Sequence, residues 1–268
     1  MRATVHGAAV YGAVARAATA RSVNGFESQR QDFLLFSAAF RPSNSGHPTP
    51  WRRLQPIKMM TMNTLATSAP TLLQINTSLF AGSGQSSQLA EQFVAGYLAA
   101  HPGSVRVLRD VASQPLPHLD GARFSAFVTP AEQRDAAQQA VIAESDALIA
   151  ELKAADVIVL GLPMYNFGVP SQLKSYFDHI ARAGETFRYT ANGPVGLLTG
   201  KKAYVFATRG GLYQGTALDT ETSYVRDFLR FIGITEVEFV YAEGLAMGPE
   251  HKDAGLAKAR DAITRLAA

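Results

Sequence analysis

The sequence predicts an α/β fold built on a doubly wound parallel sheet, and three observations carry that prediction. Five short apolar runs recur along the chain after Ser68. Stripes of apolar residues at helical spacing separate them. The central runs DVIVLGLP (156–163) and KAYVFAT (202–208) lack polar alternation, as strands covered by helices on both faces do.

The elements follow in order. TLLQINT (71–77) reads as the first strand, and Leu89, Phe93 and Tyr97 then repeat along one helical face. SVRVLRDV (104–111) is the second strand. A helix is expected from near Thr129-Pro130, with Val141, Leu148 and Leu152 on a shared face. After DVIVLGLP, Val169-Pro170 opens a helix striped by Leu173, Phe177, Ile180 and Ala181, with proline tolerated in its first turn. KAYVFAT leads to a helix over Asp219 to Ile232, and EVEFVYAEG (236–244) to a last one over Glu250 to Leu266. Serial βα units imply right-handed crossovers in a parallel sheet.

Composition narrows the chemistry. The 268 residues are 47% hydrophobic and 18% charged, as in an ordinary globular protein. There is no cysteine, which excludes disulfides, thiolate zinc sites, Fe–S clusters and a cysteine nucleophile. No apolar run approaches the roughly 18 residues of a transmembrane helix, so a soluble, cytoplasmic protein without a membrane partner is expected. Residues 1–68 hold eight basic and two acidic residues, leaving 17 basic and 20 acidic in the remainder. The high pI therefore belongs to the N-terminal segment, and the mildly acidic body does not suggest a nucleic-acid partner. That segment has no sustained period, and Pro/Ser/Gly-rich RPSNSGHPTPWRRLQP suggests unstructured chain. It is expected to be a disordered extension, a transit-type leader, or sequence upstream of a true start at Met59, Met60 or Met62. Residues 69–268 form the working domain.

Ligands of open α/β sheets sit beyond the carboxyl ends of the strands, where strand order reverses. The loop after the first strand, in LLQINTSLFAGSGQSSQL (72–89), lacks the third glycine of a dinucleotide fingerprint, which Ser87 replaces. It also lacks the lysine of a P-loop and the aspartates of a phospho-acceptor. What remains is a loop opening onto a helix N-terminus, where unsatisfied N–H groups and the helix dipole favour an anion. Ser78, Ser83, Ser86 and Ser87 add hydroxyls, Gln85 an amide, and Gly82 and Gly84 let the backbone wrap closely. No Lys or Arg lies between Thr77 and Glu91, which suits a single terminal phosphate. Taken alone, this loop reads as an ordinary Ser/Gly turn capping an amphipathic helix. Two further loops change the balance. Met164, Tyr165, Asn166 and Phe167 present a flat apolar surface with one amide after the third strand. ATRGGLYQG (207–215), after the fourth, combines paired glycines with the charge of Arg209. In a strand order of 2-1-3-4-5 these three loops are neighbours. A phosphate nest, an aromatic slab and a glycine shelf together describe a site for flavin mononucleotide (FMN).

The stretch MYNFGVPSQLKSYFDHIARAGETFRYTANGPVGLLTGKK (164–202), with TRGG (208–211), FIGI (231–234), AEG (242–244) and GPE (248–250), resembles the FMN-dependent NADH-azoreductases, a branch of the flavodoxin-like quinone reductases. The resemblance runs from about Pro70 to the C-terminus. It implies that Ser78 and Gly84-Gln85-Ser86 hold the ribityl phosphate. It implies that Met164, Tyr165, Asn166 and Phe167 line the isoalloxazine, while Thr208, Arg209, Gly210, Gly211, Leu212 and Tyr213 flank its pyrimidine side. It further implies a homodimer with Phe187 and Tyr189 walling the substrate pocket. Two positions depart from the family pattern: Gly84 stands where Ser is common, and Tyr213 where His often stands. Tyrosine can still donate a hydrogen bond but cannot become cationic near neutral pH.

The expected activity is ping-pong reduction of quinones and reductive cleavage of aromatic azo compounds. NADH is the reductant, NADPH is possible, and protons come from solvent. The protein supplies binding and orientation while the flavin carries the chemistry, so no catalytic side chain is assigned. His179 reads as structural, and the histidine spacing gives no metal site. The rival reading is an FMN-binding electron carrier without its own NAD(P)H turnover. Such carriers resemble short, strongly acidic proteins, unlike this mildly acidic body.

Overall fold

The computed structural model describes residues 69–267. The readings made for residues 1–68 lie outside the described residues.

A five-stranded parallel sheet organises the described chain, in the order β2-β1-β3-β6-β7. Its strands are β1 (Thr71–Asn76), β2 (Val105–Asp110), β3 (Val157–Pro163), β6 (Lys202–Thr208) and β7 (Glu236–Ala242). Numbered within the sheet, this is the expected order 2-1-3-4-5, which is flavodoxin-like. Each expected strand is present, with ends one or two residues inside the expected range where they differ. β3 is buried along its whole length and β6 is buried beyond Lys202. The edge strand β2 is nowhere fully buried.

Because side chains alternate along a strand, the sheet divides two cores. Leu72, Val157, Val159, Tyr204 and Phe206 face α1 (Gln85–Ala100) and α6 (Pro249–Leu266), meeting Leu89, Phe93, Leu256 and Ile263. Leu73, Ile75, Ile158, Leu160 and Val205 face the other way. There they meet α3 (Ala136–Ala154), α4 (Ser171–Ile180) and α5 (Thr220–Ile232) through Leu152, Leu173, Phe177 and Leu229.

The structure corrects several local readings. Pro130 opens only a 3-10 turn over Ala131–Gln133, and α3 starts at Ala136. Asp135 accepts from Gln138 N while the Gln138 side chain accepts from Asp135 N. This reciprocal cap, not the proline, fixes the start. The buried face of α3 runs through Ile142, Ser145, Leu148, Ile149 and Leu152, while half-buried Val141 lines the groove towards α2 (Gly121–Val128). Pro170 is the N-cap of α4 rather than a residue of its first turn. α2 itself, two turns capped by Asp120, was not expected. Neither was the hairpin of β4 (Phe187–Thr190) and β5 (Gly193–Gly196), although Asn192-Gly193 is a hairpin signal. Among the described residues, no helix is long and apolar enough to cross a membrane.

Candidate functional site

The loops that follow β1, β3 and β6 leave the same edge of the sheet and touch one another. After β1, Thr77 donates from its hydroxyl to the Gly161 carbonyl (2.7 Å), tying the loop to β3. Gly161 also lets α1 sit close on the sheet, since a Cβ there would lie 3.1 Å from the Ser86 carbonyl. The chain then passes Ala81, whose φ is 47°, and a 3-10 turn at Ala81–Ser83 before α1 begins.

The N-terminus of α1 is rich in unused donors. The N–H groups of Gln85, Ser86 and Ser87 precede the first intrahelical bond, from Gln88 N to Gly84 O (3.0 Å), and no side chain caps them. The Ser86 and Ser87 hydroxyls are buried without a hydrogen-bond partner. Ser78 lies against Gly84: a Cβ on Gly84 would come within 2.1 Å of Ser78 Oγ. A phosphate monoester offers the acceptor oxygens that such N–H and O–H groups lack, and the helix dipole favours its charge.

The loop after β3 is a two-residue turn. Tyr165 N donates to Gly168 O (3.0 Å) and Gly168 N to Tyr165 O (3.1 Å). The turn residues Asn166 and Phe167 have φ of 52° and 62°, the left-handed pair of a type I′ turn. Asparagine tolerates that region, whereas phenylalanine is strained in it. Strained backbone of this kind gathers at ligand sites, where surrounding bonds hold it. Here Thr220 donates from its hydroxyl to the Phe167 carbonyl. The Tyr165 hydroxyl accepts from Leu79 N (3.2 Å) and lies 3.3 Å from Ser78 Oγ, joining this loop to the first. Met164 N donates to Thr208 O (3.0 Å), joining it to the third. The Phe167 ring, half exposed, meets Tyr213 edge-on at 5.6 Å.

The loop after β6 prolongs the pairing of β6 with β7. Arg209 N donates to Ala242 O, Gly244 N to Gly211 O, Leu245 N to Arg209 O and Ala246 N to Gly210 O, all within 2.9–3.1 Å. Glu243 Oε1 then accepts from both Tyr213 N and Gln214 N at 2.8 Å. The Tyr213 ring folds over Gly211, where a Cβ would come within 2.7 Å of it. Leu212 is exposed.

Two expected residues take other places. The Arg209 side chain turns inward and is 1% exposed, so its charge is not presented at the surface. It reaches Asp219 (2.6 Å), the Thr222 hydroxyl (3.0 Å) and Glu243 (3.4 Å), with Tyr241 beneath it. Burial opposes its charge, but the hydrogen bond from Arg209 to Asp219 and the nearby carboxylates outweigh it and raise the guanidinium above its ordinary value. The Arg209 side chain is thus turned away from the exposed face that Leu212 presents. The Phe187 ring is buried within the chain against Phe231 at 4.3 Å. Tyr189 stays exposed. His179 is fully buried; its Nδ1 lies 2.8 Å from the Ser175 carbonyl and its Nε2 3.4 Å from Arg123. Among the described residues no group of three or more His, Asp or Glu is placed to hold a metal.

Sequence reasoning missed Gly161, Asp219 and Glu243 as supports of these loops. Gly161 was read only as part of a strand and Asp219 only as a helix start; Glu243 stood within AEG, and its partners are 29 to 34 residues away.

Three comparisons bear on this arrangement. A family model described as "Flavodoxin-like fold" matches residues 70–266. An "FMN-dependent NADH:quinone oxidoreductase" of Cellvibrio japonicus is 56% identical over 193 residues, 72% of this chain and 96% of that protein. "FMN-dependent NADH:quinone oxidoreductase 6" of Burkholderia lata is 55% identical over 193 residues, covering 72% and 98%. Among solved structures, an azoreductase from Bacillus anthracis superposes with a TM-score of 0.68 at 28% identity, over 74% of this chain and 98% of that one. An FMN-dependent NADH-azoreductase of the same species, in complex with FMN, has a TM-score of 0.65 at 26% identity, covering 74% and 99%.

Proposed function

The chain belongs to the flavodoxin-like fold family matched over residues 70–266, and on that premise we propose that it is an FMN-dependent NADH:quinone oxidoreductase that also cleaves aromatic azo compounds. The observation that carries the reading is the set of unused donors at the start of α1, brought beside the Tyr165–Phe167 and Gly210–Tyr213 loops. Relatives above half identity that are named for this activity support it.

FMN, when bound, supplies two-electron storage, which is what a ping-pong exchange between NADH and a quinone or azo acceptor requires. The residues of this chain do the rest. The N–H groups of Gln85, Ser86 and Ser87, with the hydroxyls of Ser78, Ser86 and Ser87, hold the phosphate. Gly84 keeps Ser78 close, in place of the hydroxyl common in the family. Met164, Tyr165, Asn166 and Phe167 give a rigid apolar surface for the ring, and the rigidity comes from the turn that Thr220 clasps. Thr208 with Gly210, Gly211, Leu212 and Tyr213 bounds the opposite edge through backbone groups. We assign no side chain as acid or base, and protons come from solvent.

The acceptor is an aromatic that stacks where the nicotinamide stood, and NADPH remains an alternative reductant. We place the protein in the cytoplasm, where reduced nicotinamide is supplied, and residues 69–268 as its FMN-binding domain. We also propose a homodimer. Its support is the exposed apolar side chains of the loops that follow β1, β3, β6 and β7: Leu79, Phe80, Phe167, Leu212, Leu218 and Met247.

An anaerobic absorption titration tests the reading. Flavin bands that bleach on adding NADH and return with a quinone are the expected result. Bands that bleach only with NADPH change the reductant. Bands that bleach with neither favour an electron carrier, and failure to take up added FMN overturns the site.

A further inference from the structure

Behind the loop that follows β6 lie one buried cation and three carboxyls, of which Glu221 is fully buried and Asp219 and Glu243 partly so. Arg209 NH2 meets Asp219 (2.6 Å) and NH1 meets Glu243 (3.4 Å), while its Nε stands 3.8 Å from Glu221, beyond hydrogen-bond distance. Glu221 is 0% exposed, and both its carboxyl oxygens lack a hydrogen-bond partner, as does Arg209 Nε. The charged or titratable groups around Glu221 come from three elements. They are Asp219 at the cap of α5, Arg209 after β6, and Tyr241 and Glu243 at the end of β7, with Arg226 farther along α5.

We propose that Glu221 is a positioning residue, acting through Arg209 and Glu243 on the backbone of the Gly210–Gln214 loop.

Counting charges shows why. One guanidinium cannot balance three carboxylates, and the fully buried Glu221 is the one for which an unpaired charge is most costly. Asp219 has the closest contact with Arg209 and also accepts from Thr222, which hold its carboxyl below the ordinary value against the opposing effect of burial. Glu243 accepts the Tyr213 and Gln214 N–H groups. Glu221 has no donor at all, and burial pushes it up to about 8, with Asp219 adding to the rise and Arg209 opposing it. Neutral Glu221 leaves Arg209 to Asp219 and Glu243. Once ionised, it competes for the guanidinium with its own bare oxygens facing Nε, and repels Glu243. The 3.4 Å contact to Glu243 is the longest hydrogen bond Arg209 makes, so it gives way first. With it goes the anchor of the acceptor that holds Tyr213 and Gln214. The neighbouring Thr220 clasps the Phe167 turn, so this same first turn of α5 touches both loops.

The consequence for flavin rests on the proposed function, but the clamp does not, so the test reads them apart. Hydrogen exchange of the Tyr213 and Gln214 amides is followed in the flavin-free full chain from pH 6 to 9, corrected for intrinsic exchange, beside FMN affinity. In the wild type, protection is expected to fall about tenfold for each pH unit above the midpoint near 8. Glu221→Gln copies the neutral carboxyl: it is expected to keep protection and FMN affinity at pH 7, and to lose less than about twofold by pH 9. Glu243→Ala removes the acceptor of the Tyr213 and Gln214 N–H groups and should lose protection at every pH, which checks the link itself. Wild-type protection that is independent of pH, or an equal loss in Glu221→Gln, overturns the proposal. FMN that fails to bind while protection behaves as expected overturns the flavin site alone.

Discussion

Gly84 and Phe167 decide the local shape of the site in opposite ways. At Gly84 the backbone is ordinary (φ −67°, ψ 140°), so the position needs glycine for space alone. Gly84→Ala would drive a methyl into Ser78 Oγ at 2.1 Å and Ser78 Cβ at 2.6 Å. Overpacking of that kind costs about 1–3 kcal/mol, and FMN affinity measured by fluorescence titration should fall by about tenfold or more. An unchanged affinity would show that Ser78 is free to move and does not shape the nest. Phe167 is the reverse case, a side chain kept at a backbone cost. Its left-handed conformation costs about 1–2 kcal/mol, and glycine gives back about 0.5–1 kcal/mol through the entropy of the unfolded chain. Phe167→Gly is therefore expected to melt no lower than wild type while the KM for quinone rises. A lower melting temperature would mean that the ring contact with Tyr213 outweighs the strain. Gly84 was read beforehand as letting the backbone wrap closely, though not as making room for Ser78; the strain at Phe167 was not legible, since MYNF was read only as an apolar slab with an amide.

At the level of elements, the alternation of strands and helices was open to sequence reasoning because periods of 2 and 3.6 are written into the residue order. α2 escaped because it is short and leaves Phe124 and Val128 exposed, so it carries no clear stripe. The β4–β5 hairpin escaped although Asn192-Gly193 announces it. Its role is settled by what it docks on. Gly196 backs onto the end of α5, where a Cβ would come within 2.1 Å of Gly233 N, and Gly233 itself has φ of 108°. Leu198 N donates to Ile232 O just beyond. Gly196→Ala should therefore lower the urea midpoint by the equivalent of about 1–3 kcal/mol with the slope unchanged. If the midpoint stays put, the hairpin is not held by that close approach.

Across the whole molecule, one half-buried and one fully buried carboxyl give stability a pH dependence at both ends. Asp219 is held below its ordinary 3.8, so its contribution is present above that value and lost as pH falls through its folded value. Glu221 is raised from 4.5 to about 8, so its contribution is full below 4.5 and is lost as pH rises to about 8. Melting temperatures between pH 4.5 and 8 should decline less steeply in Glu221→Gln than in the wild type. Identical curves would place Glu221 outside this dependence.

The sequence by itself determined the strands, the helices between them and the three loops, because each rests on local periodicity or on glycines and hydroxyls contiguous in the chain; the strand order was reached only through the loop motifs and the family resemblance, and the packed sheet decides it. The inward turn of Arg209 was decided only by tertiary structure. Its partners Asp219, Glu221 and Glu243 come from the start of α5 and the end of β7, and nothing local in TRGG separates a ligand's cation from a buried anchor. The outcome depends on which carboxylates the packed sheet brings within reach, and long-range charge pairing of that kind leaves no periodic trace in the residues that make it.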